Sequence, residues 1–143
     1  MSTENKTTIT VEATVNAPVE RVWKCWTHPD DVMQWNNASD DWHTPSATND
    51  LRHGGEFHYL MAAKDGSFEF DFWGTYDTVV PHKKIGSTLG DGRKVEVTFM
   101  DHGDTTHVVE SFEAESTNPI DLQRFGWQSI LNNFKKHVEN NGE

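Results

Sequence analysis

Residues 57–76, FHYLMAAKDGSFEFDFWGTY, contain two alternating segments on either side of Asp65-Gly66. One face of the first segment carries Phe57, Tyr59 and Met61. One face of the second carries Phe68, Phe70, Phe72, Gly74 and Tyr76. A period of two indicates a strand, and an Asp-Gly pair favours the tight turn of a hairpin. The stretch therefore predicts two antiparallel strands with a shared aromatic face.

Further turn signals and alternating segments lie on both sides of this hairpin. Turns are predicted at Gly54-Gly55, Asp91-Gly92 and His102-Gly103-Asp104. Later segments alternate through Val95, Val97 and Phe99, and through Val108, Glu110 and Phe112. The segment from Thr7 to Val15 alternates in the same way. The pattern predicts an antiparallel meander of about six strands, joined by the N-terminal strand.

Two short helices are predicted between the first strand and the meander. Pro18 suits the first position of a helix, where its missing N–H group is not needed. One apolar stripe follows at helical spacing, through Val19, Val22, Trp23 and Trp26. Pro29 begins the second helix, with Val32 and Trp35 as its apolar side.

A long C-terminal helix is predicted after the meander. Asn118 is a suitable N-cap, Pro119 suits the first turn, and Asp121 has the spacing of a capping box. Its apolar face comprises Ile120, Trp127, Ile130, Leu131, Phe134 and Val138. Asn141-Gly142 offers an end signal. Because the helix and the sheet each have one apolar face, we expect an α+β fold with the curved sheet wrapped around this helix.

Composition favours one domain over residues 1–143, with residues 1–6 and 140–143 disordered. Apolar residues make up only 34% of the chain, but it has eight Phe, six Trp and two Tyr. Each ring buries about 150–250 Å². We therefore expect an aromatic interior, and an elongated apolar cavity where rings fill the space incompletely.

The charge balance excludes several classes of partner. Twelve Lys and Arg stand against 23 Asp and Glu, for a net charge of −11. Nucleic acids and anionic membranes both require clustered cations, which the sequence lacks. No apolar run approaches the ~20 residues of a membrane span. With one cysteine and a polar N-terminus, the sequence predicts a cytoplasmic protein.

The predicted cavity lies between the sheet and the long helix. We expect a small hydrophobic or aromatic ligand there, with apolar contacts and a few polar groups that orient it. Gly126 would leave room beside it. The candidate ligand-binding residues are Trp35, Trp42, His43, Phe57, Tyr59, Met61, Phe70, Phe72, Glu110, Gln123, Trp127 and Leu131.

Glu110 is the most interesting single candidate for acid–base catalysis, and a histidine is the alternative group. Its strand parity matches that of Val108 and Phe112, so it faces the cavity if they do. A carboxyl group in an aromatic pocket has a raised pKa and can act as a general acid or base. Two alternatives remain open: a register that turns Val109 inward instead, or an internal pair with an arginine.

Other chemistry has little support in the sequence, and we expect no metal and no cofactor. His53 and His58 are five residues apart, as are His102 and His107, and neither spacing is typical of metal ligands. Cys25 is predicted to be a small buried or half-buried side chain and not a nucleophile, because the spacing places no histidine beside it. Phosphate-binding glycine loops and a G-x-S-x-G motif are both absent.

Several segments resemble bacterial proteins related to the activator of the heat shock protein 90 ATPase, within the START-like, or SRPBCC, superfamily. The first is Ala17–Trp23 followed by Trp26-Thr27-His28-Pro29. Others are Asp50–Phe57 with Met61, and Gly74-x-Tyr76 followed by Pro81. The last is Gln123-Arg124-x-Gly126-Trp127 with Asn133-Phe134. The resemblance covers nearly the whole chain and implies the helix-grip fold.

The resemblance leaves function open among several classes. Relatives bind lipids, sterols, polyketides or flavonoid-like molecules, which implies a ligand-binding domain. Some cyclise or hydrate polyketides, and the eukaryotic namesakes are co-chaperones. Phe125 and Trp73 depart from the expected pattern: they form either an exposed aromatic patch for a second molecule or ordinary surface rings. We expect a monomer or weak homodimer, with a chaperone contact as a further possibility.

Overall fold

The computed structural model describes residues 7–37 and 39–140. The strands are β1 (Thr8–Val15), β2 (Trp42–Asn49), β3 (Glu56–Ala63), β4 (Glu69–Val80), β5 (Lys84–Leu89), β6 (Lys94–Asp101) and β7 (Thr106–Glu113). The helices are α1 (Val19–Thr27), α2 (Pro29–Trp35) and α3 (Ile120–Asn140). This order of elements matches the order predicted from sequence.

All seven strands form one antiparallel sheet in the order β1-β7-β6-β5-β4-β3-β2. The six strands from β2 to β7 are consecutive neighbours, and β1 joins the sheet beside β7, which confirms the predicted meander. In the hairpin of β3 and β4, Tyr59 lies opposite Phe72 and Met61 lies opposite Phe70. A register shift between Tyr76 and Thr78 interrupts the pairing of β4 with β5.

Helix α3 lies against the inner face of the curved sheet, which is the helix-grip arrangement. Its side chains Leu131, Phe134 and Val138 are fully buried. Phe134 contacts the indoles of Trp26 and Trp35, with ring centroids 4.9 Å apart in both pairs. The apolar sides of α1, α2 and α3 therefore meet at one end of the sheet.

The start of α3 differs from the predicted capping box. The Asn118 amide donates a hydrogen bond to Glu115 Oε2 instead of capping the helix, and Asp121 pairs with Arg124. The helix is preceded by a loop in which Glu115 Oε1 accepts from the backbone N–H groups of Thr117 and Asn118. The acid that organises this loop thus precedes the helix and does not lie within it.

The predicted disorder of residue 140 is wrong, because Asn140 is the last residue of α3. The other predicted disordered residues, 1–6 and 141–143, lie outside the described residues, as does the end signal at Asn141-Gly142. Within the described part of the chain, no helix combines the length and apolar character needed to cross a membrane.

Candidate functional site

A cavity of about 420 Å³ lies between the inner face of the sheet and α3. Most of its wall is apolar and comes from every strand of the meander except β2. Its aromatic wall residues are Trp26, Trp35, Phe57, Tyr59, Phe70, Phe72, Tyr76 and Trp127. Its polar wall residues are Asn36, Ser87, Arg93, Glu110, Glu115 and Gln123.

The aromatic wall is organised around Phe57 of β3. Its ring centroid lies 5.0 Å from that of Tyr59, 5.4 Å from Tyr76 and 5.8 Å from Phe72. These rings project from β3 and β4 on one face, as the alternation in residues 57–76 predicts. On the helical side, Trp127 approaches Phe72 edge to face at 6.0 Å.

The structure brings nine of the twelve predicted ligand-binding residues to the cavity wall. They are Trp35, Phe57, Tyr59, Met61, Phe70, Phe72, Glu110, Gln123 and Trp127. Their role in binding stays a prediction, because a position on the wall is not a ligand contact.

Three of the predicted residues lie off the cavity wall. Trp42 contacts Phe68 and Phe70 at the tip of the β3–β4 hairpin, and both centroid distances are 6.1 Å. His43 is exposed on edge strand β2. Leu131 is fully buried among core side chains of α3, away from the open space. Periodicity identified the apolar face of each element but not the extent of the cavity along it.

Glu110 lies on the inner face of β7, between the buried Val108 and Phe112. It pairs in register with Val11 of β1 and Val97 of β6. Among residues 7–37 and 39–140, no side chain forms an ion pair or hydrogen bond with its carboxyl group, although Arg93 lines the same cavity. Burial raises the pKa of Glu110 to about 8. Both alternatives, the slipped register and the arginine pair, are therefore wrong.

Two wall residues, Tyr59 and Tyr76, also carry hydroxyl groups. Tyr76 donates a 2.6 Å hydrogen bond to Asn49 Oδ1, and the Asn49 amide donates to the Thr27 carbonyl. The Tyr59 hydroxyl interacts with that of Tyr76. Burial raises the pKa of both phenols. Both therefore stay protonated near neutral pH and can donate or accept hydrogen bonds.

Gln123 lies at the start of α3, where its amide joins the helix to the preceding loop. Its Oε1 accepts from the Glu115 N–H at 2.9 Å, and its Nε2 donates to the carbonyls of Glu115 and Asn118. The group predicted to orient a ligand is thus already committed to backbone partners. One turn along, Gly126 faces open space: an added Cβ would meet nothing within 4 Å.

Several wall residues were absent from the sequence-based set, including Trp26, Asn36, Tyr76 and Arg93. Trp26 and Tyr76 could have been found, because both fall on apolar faces that the periodicity identified. Asn36 and Arg93 carried no such signal. The Asn36 side chain is buried, and its Nδ2 has no hydrogen-bond partner among the described residues.

The two unusual surface rings do not form one patch. Trp73 points to the outer face of β4, where it stacks on His58 with planes 6° apart and lies over Gly90. Phe125 is 70% exposed on the outer side of α3. The sheet lies between them, since Phe72, next to Trp73, faces α3. Trp73 is an ordinary surface ring with local contacts.

Cys25 does have a histidine beside it, contrary to the sequence-based expectation. Ligand atoms of Cys25, Asp31 and His137 lie within 4.8 Å of one another. His137 is on α3, more than a hundred residues along the chain, so spacing in the sequence could not reveal it. This cluster lies outside the residues of the cavity wall.

Comparison with known proteins identifies the family. The model of the family described as Activator of Hsp90 ATPase homolog 1-like protein matches residues 16–139. The chain belongs to this family. Among curated proteins, none matches this member significantly.

Solved structures of similar proteins share the fold. An AHSA1-like protein from Aeromonas hydrophila is 43% identical, with a TM-score of 0.89 and coverage of 95% of this chain and 94% of its own. A protein from Cytophaga hutchinsonii is 56% identical, with a TM-score of 0.80 and coverage of 93% and 92%. A Nitrosomonas europaea protein at 17% identity, TM-score 0.79 and coverage of 93% and 94%, shows the fold alone.

Proposed function

We propose that this member of the family binds a small hydrophobic or aromatic molecule in the cavity between the sheet and α3. The observation that carries the proposal is Glu110, a carboxyl group that has no partner among the described residues and lines an aromatic cavity of about 420 Å³. Ligand pockets are about 300–1,000 Å³, mostly apolar, with a few polar groups that fix orientation. We place this binding in the cytoplasm, with one molecule per monomer.

The polar groups indicate what such a ligand should carry. With the pKa of Glu110 raised to about 8, its carboxyl group is mainly protonated at neutral pH and can donate a hydrogen bond. The Asn36 amide is a second buried donor, and its Nδ2 has no hydrogen-bond partner in the part of the chain that the structure describes. A buried donor left unpaired costs about 1–3 kcal/mol. A neutral ring system with carbonyl or hydroxyl oxygens satisfies both donors and stacks on the aromatic wall.

A second candidate function is an enzyme of the cyclase or hydratase kind. The same pKa supports it, because a group that titrates near the working pH is an effective general acid or base. The two candidates differ in turnover. Under the enzyme proposal, Glu110→Gln abolishes conversion of a polyketide-like substrate and leaves its binding nearly intact; if conversion persists in this variant, the enzyme proposal is wrong.

The first test is native mass spectrometry of the protein as purified, beside a denatured sample. A bound molecule appears as an extra mass that is lost on denaturation, and its mass identifies its chemical class. The purified apoprotein is then titrated with N-phenyl-1-naphthylamine, a neutral fluorescent aromatic probe. We expect saturable binding at a ratio of one to one.

Gly126→Leu tests whether the probe occupies the cavity. The new side chain enters the open space beside Gly126 and should abolish the fluorescence increase. Phe125→Leu, on the exposed side of the same helix turn, is the matched control and should bind like wild type. Equal binding by wild type and Gly126→Leu, with both folded by circular dichroism, would contradict binding in the cavity.

A further inference from the structure

Three side chains of types that commonly ligate transition metals lie close together where α1, α2 and α3 converge. Cys25 comes from α1, Asp31 from α2 and His137 from α3, and their ligand atoms all lie within 4.8 Å of one another. Cys25 is buried, and the side chains of Asp31 and His137 are only 17% and 11% exposed. An ion could therefore approach from the side of Asp31 and His137.

We propose that Cys25, Asp31 and His137 form a binding site for Zn²⁺ or a similar transition-metal ion. Thiolate, imidazole and carboxylate are the ligands that Zn²⁺ takes in proteins, and three protein ligands leave a fourth position for water. Ligand atoms around tetrahedral Zn²⁺ are about 3.3–3.7 Å apart, from bond lengths of about 2.0–2.3 Å. The ligand atoms of the three residues, all within 4.8 Å of one another, lie close to this spacing. This inference is independent of the cavity and its ligand.

The charges of the site balance those of a divalent ion. A Cys25 thiolate and the Asp31 carboxylate together carry two negative charges, so the occupied site is neutral, which suits a buried location. The thiolate and not the thiol is the metal ligand, so binding releases the Cys25 proton.

The present contacts show what the ion would replace. His137 Nε2 lies 2.9 Å from Asp31 Oδ1, and Lys24 Nζ lies 3.3 Å from Asp31 Oδ2. Lys24 is 64% exposed, so it can move into solvent when the ion binds. The ion would take the place between His137 and Asp31 and join both to Cys25.

An ion at this position would take one ligand from each of the three helices. It would hold α3 against α1 and α2, near the aromatic cluster of Trp26, Trp35 and Phe134. Trp35 Nε1 already donates a 3.0 Å hydrogen bond to the Cys25 carbonyl. We therefore expect occupancy to raise the thermal midpoint of the folded protein, because ligands that bind only the native state stabilise it.

The test is titration of the reduced full-length protein with Co²⁺, which reports thiolate ligation by a charge-transfer band in the near ultraviolet. We expect one Co²⁺ per chain, displacement by Zn²⁺, and loss of Cys25 reactivity towards a thiol reagent when Zn²⁺ is bound. Cys25→Ser should lose the band. His137→Gln should weaken Co²⁺ binding by about tenfold or more, since even outer-shell partners contribute about 10–100-fold.

His58→Gln is the matched control for surface histidines. His58 lies between the carboxylates of Asp71 and Glu56 on the outer face, and its removal should leave the band unchanged. Should Cys25→Ser fail to fold, His137→Gln and Asp31→Asn carry the test by the same band. Wild-type protein without a thiolate-to-cobalt band, or a Co²⁺ affinity of His137→Gln equal to that of wild type, would overturn the site.

Discussion

The indole of Trp127 stacks on the ring of Phe112, with ring centroids 3.7 Å apart and planes 11° apart. Trp127 is on α3, and Phe112 is buried near the end of β7, on the inner face of the sheet. This stack fixes the distance between helix and sheet at one end of the cavity. The same indole forms part of the cavity wall.

Trp127→Ala should therefore lower the free energy of unfolding by about 3 kcal/mol, the lower end of the range for loss of a large ring from a core. Urea denaturation followed by circular dichroism measures it. Phe125→Ala, two residues earlier but 70% exposed, is the control and should change stability by less than about 0.5 kcal/mol. Equal effects of the two substitutions would contradict the stacking role.

Glu110 should make stability depend on pH in a direction unusual for an acid. Its pKa is raised from 4.5 to about 8 in the folded protein, so the folded state holds more protons than the unfolded state between these values. The contribution of Glu110 to the free energy of unfolding is therefore complete below pH 4.5. It is lost as the pH rises to about 8, by up to about 1.4 kcal/mol per pH unit.

The difference between wild type and Glu110→Gln isolates this effect. Arg93 and Glu115, which share the cavity, are present in both proteins and cancel in the comparison. Urea midpoints measured from pH 5 to 8 should show Glu110→Gln gaining on wild type as pH rises. A constant difference across this range would mean that Glu110 is ionised or solvated in the folded state.

Two glycines should respond in opposite ways to the same substitution. Gly126→Ala should stabilise the protein by about 0.5–1 kcal/mol, because it replaces a glycine within a helix and adds a methyl group to open space. Gly74→Ala should destabilise it, since the new Cβ would lie 2.8 Å from the Thr88 carbonyl oxygen and 2.9 Å from Phe57. Thermal melts of both variants provide the comparison; a stable Gly74→Ala protein would contradict this packing.

The fold was accessible from sequence because its signals are local and repeated. Aromatic residues recur at every second position on both sides of the turn in residues 57–76, and the structure pairs them as β3 and β4 with Tyr59 opposite Phe72. The inward direction of Glu110 followed from the same parity. Each such inference depends on neighbours within a few residues.

The Cys25, Asp31 and His137 cluster and the limits of the cavity depend on contacts between residues far apart in the chain. His137 reaches Cys25 only because α3 returns across α1 and α2, and no spacing rule encodes that meeting. Leu131 satisfied the helical periodicity, yet it is fully buried and does not line the cavity. The limits of a cavity are set by how whole elements curve and pack, which a single segment does not specify.

Gln123 allows the structural and ligand-binding roles of a wall residue to be separated. Its amide makes three hydrogen bonds to backbone groups of Glu115 and Asn118, at distances between 2.8 and 3.0 Å. Gln123→Leu preserves most of the volume but leaves these groups without partners, so we expect a loss of about 2 kcal/mol in unfolding free energy. Gln34→Leu, exposed on α2, is the control for the same exchange and should be nearly neutral.

Probe affinity of the folded Gln123→Leu protein decides which role dominates. Because its amide is occupied by the loop, we expect the dissociation constant for N-phenyl-1-naphthylamine to stay within about twofold of wild type, a difference of only about 0.4 kcal/mol. A large loss of affinity without a loss of stability would instead assign Gln123 to the ligand. Gln123 would then share the ligand-orienting role that we propose for Glu110.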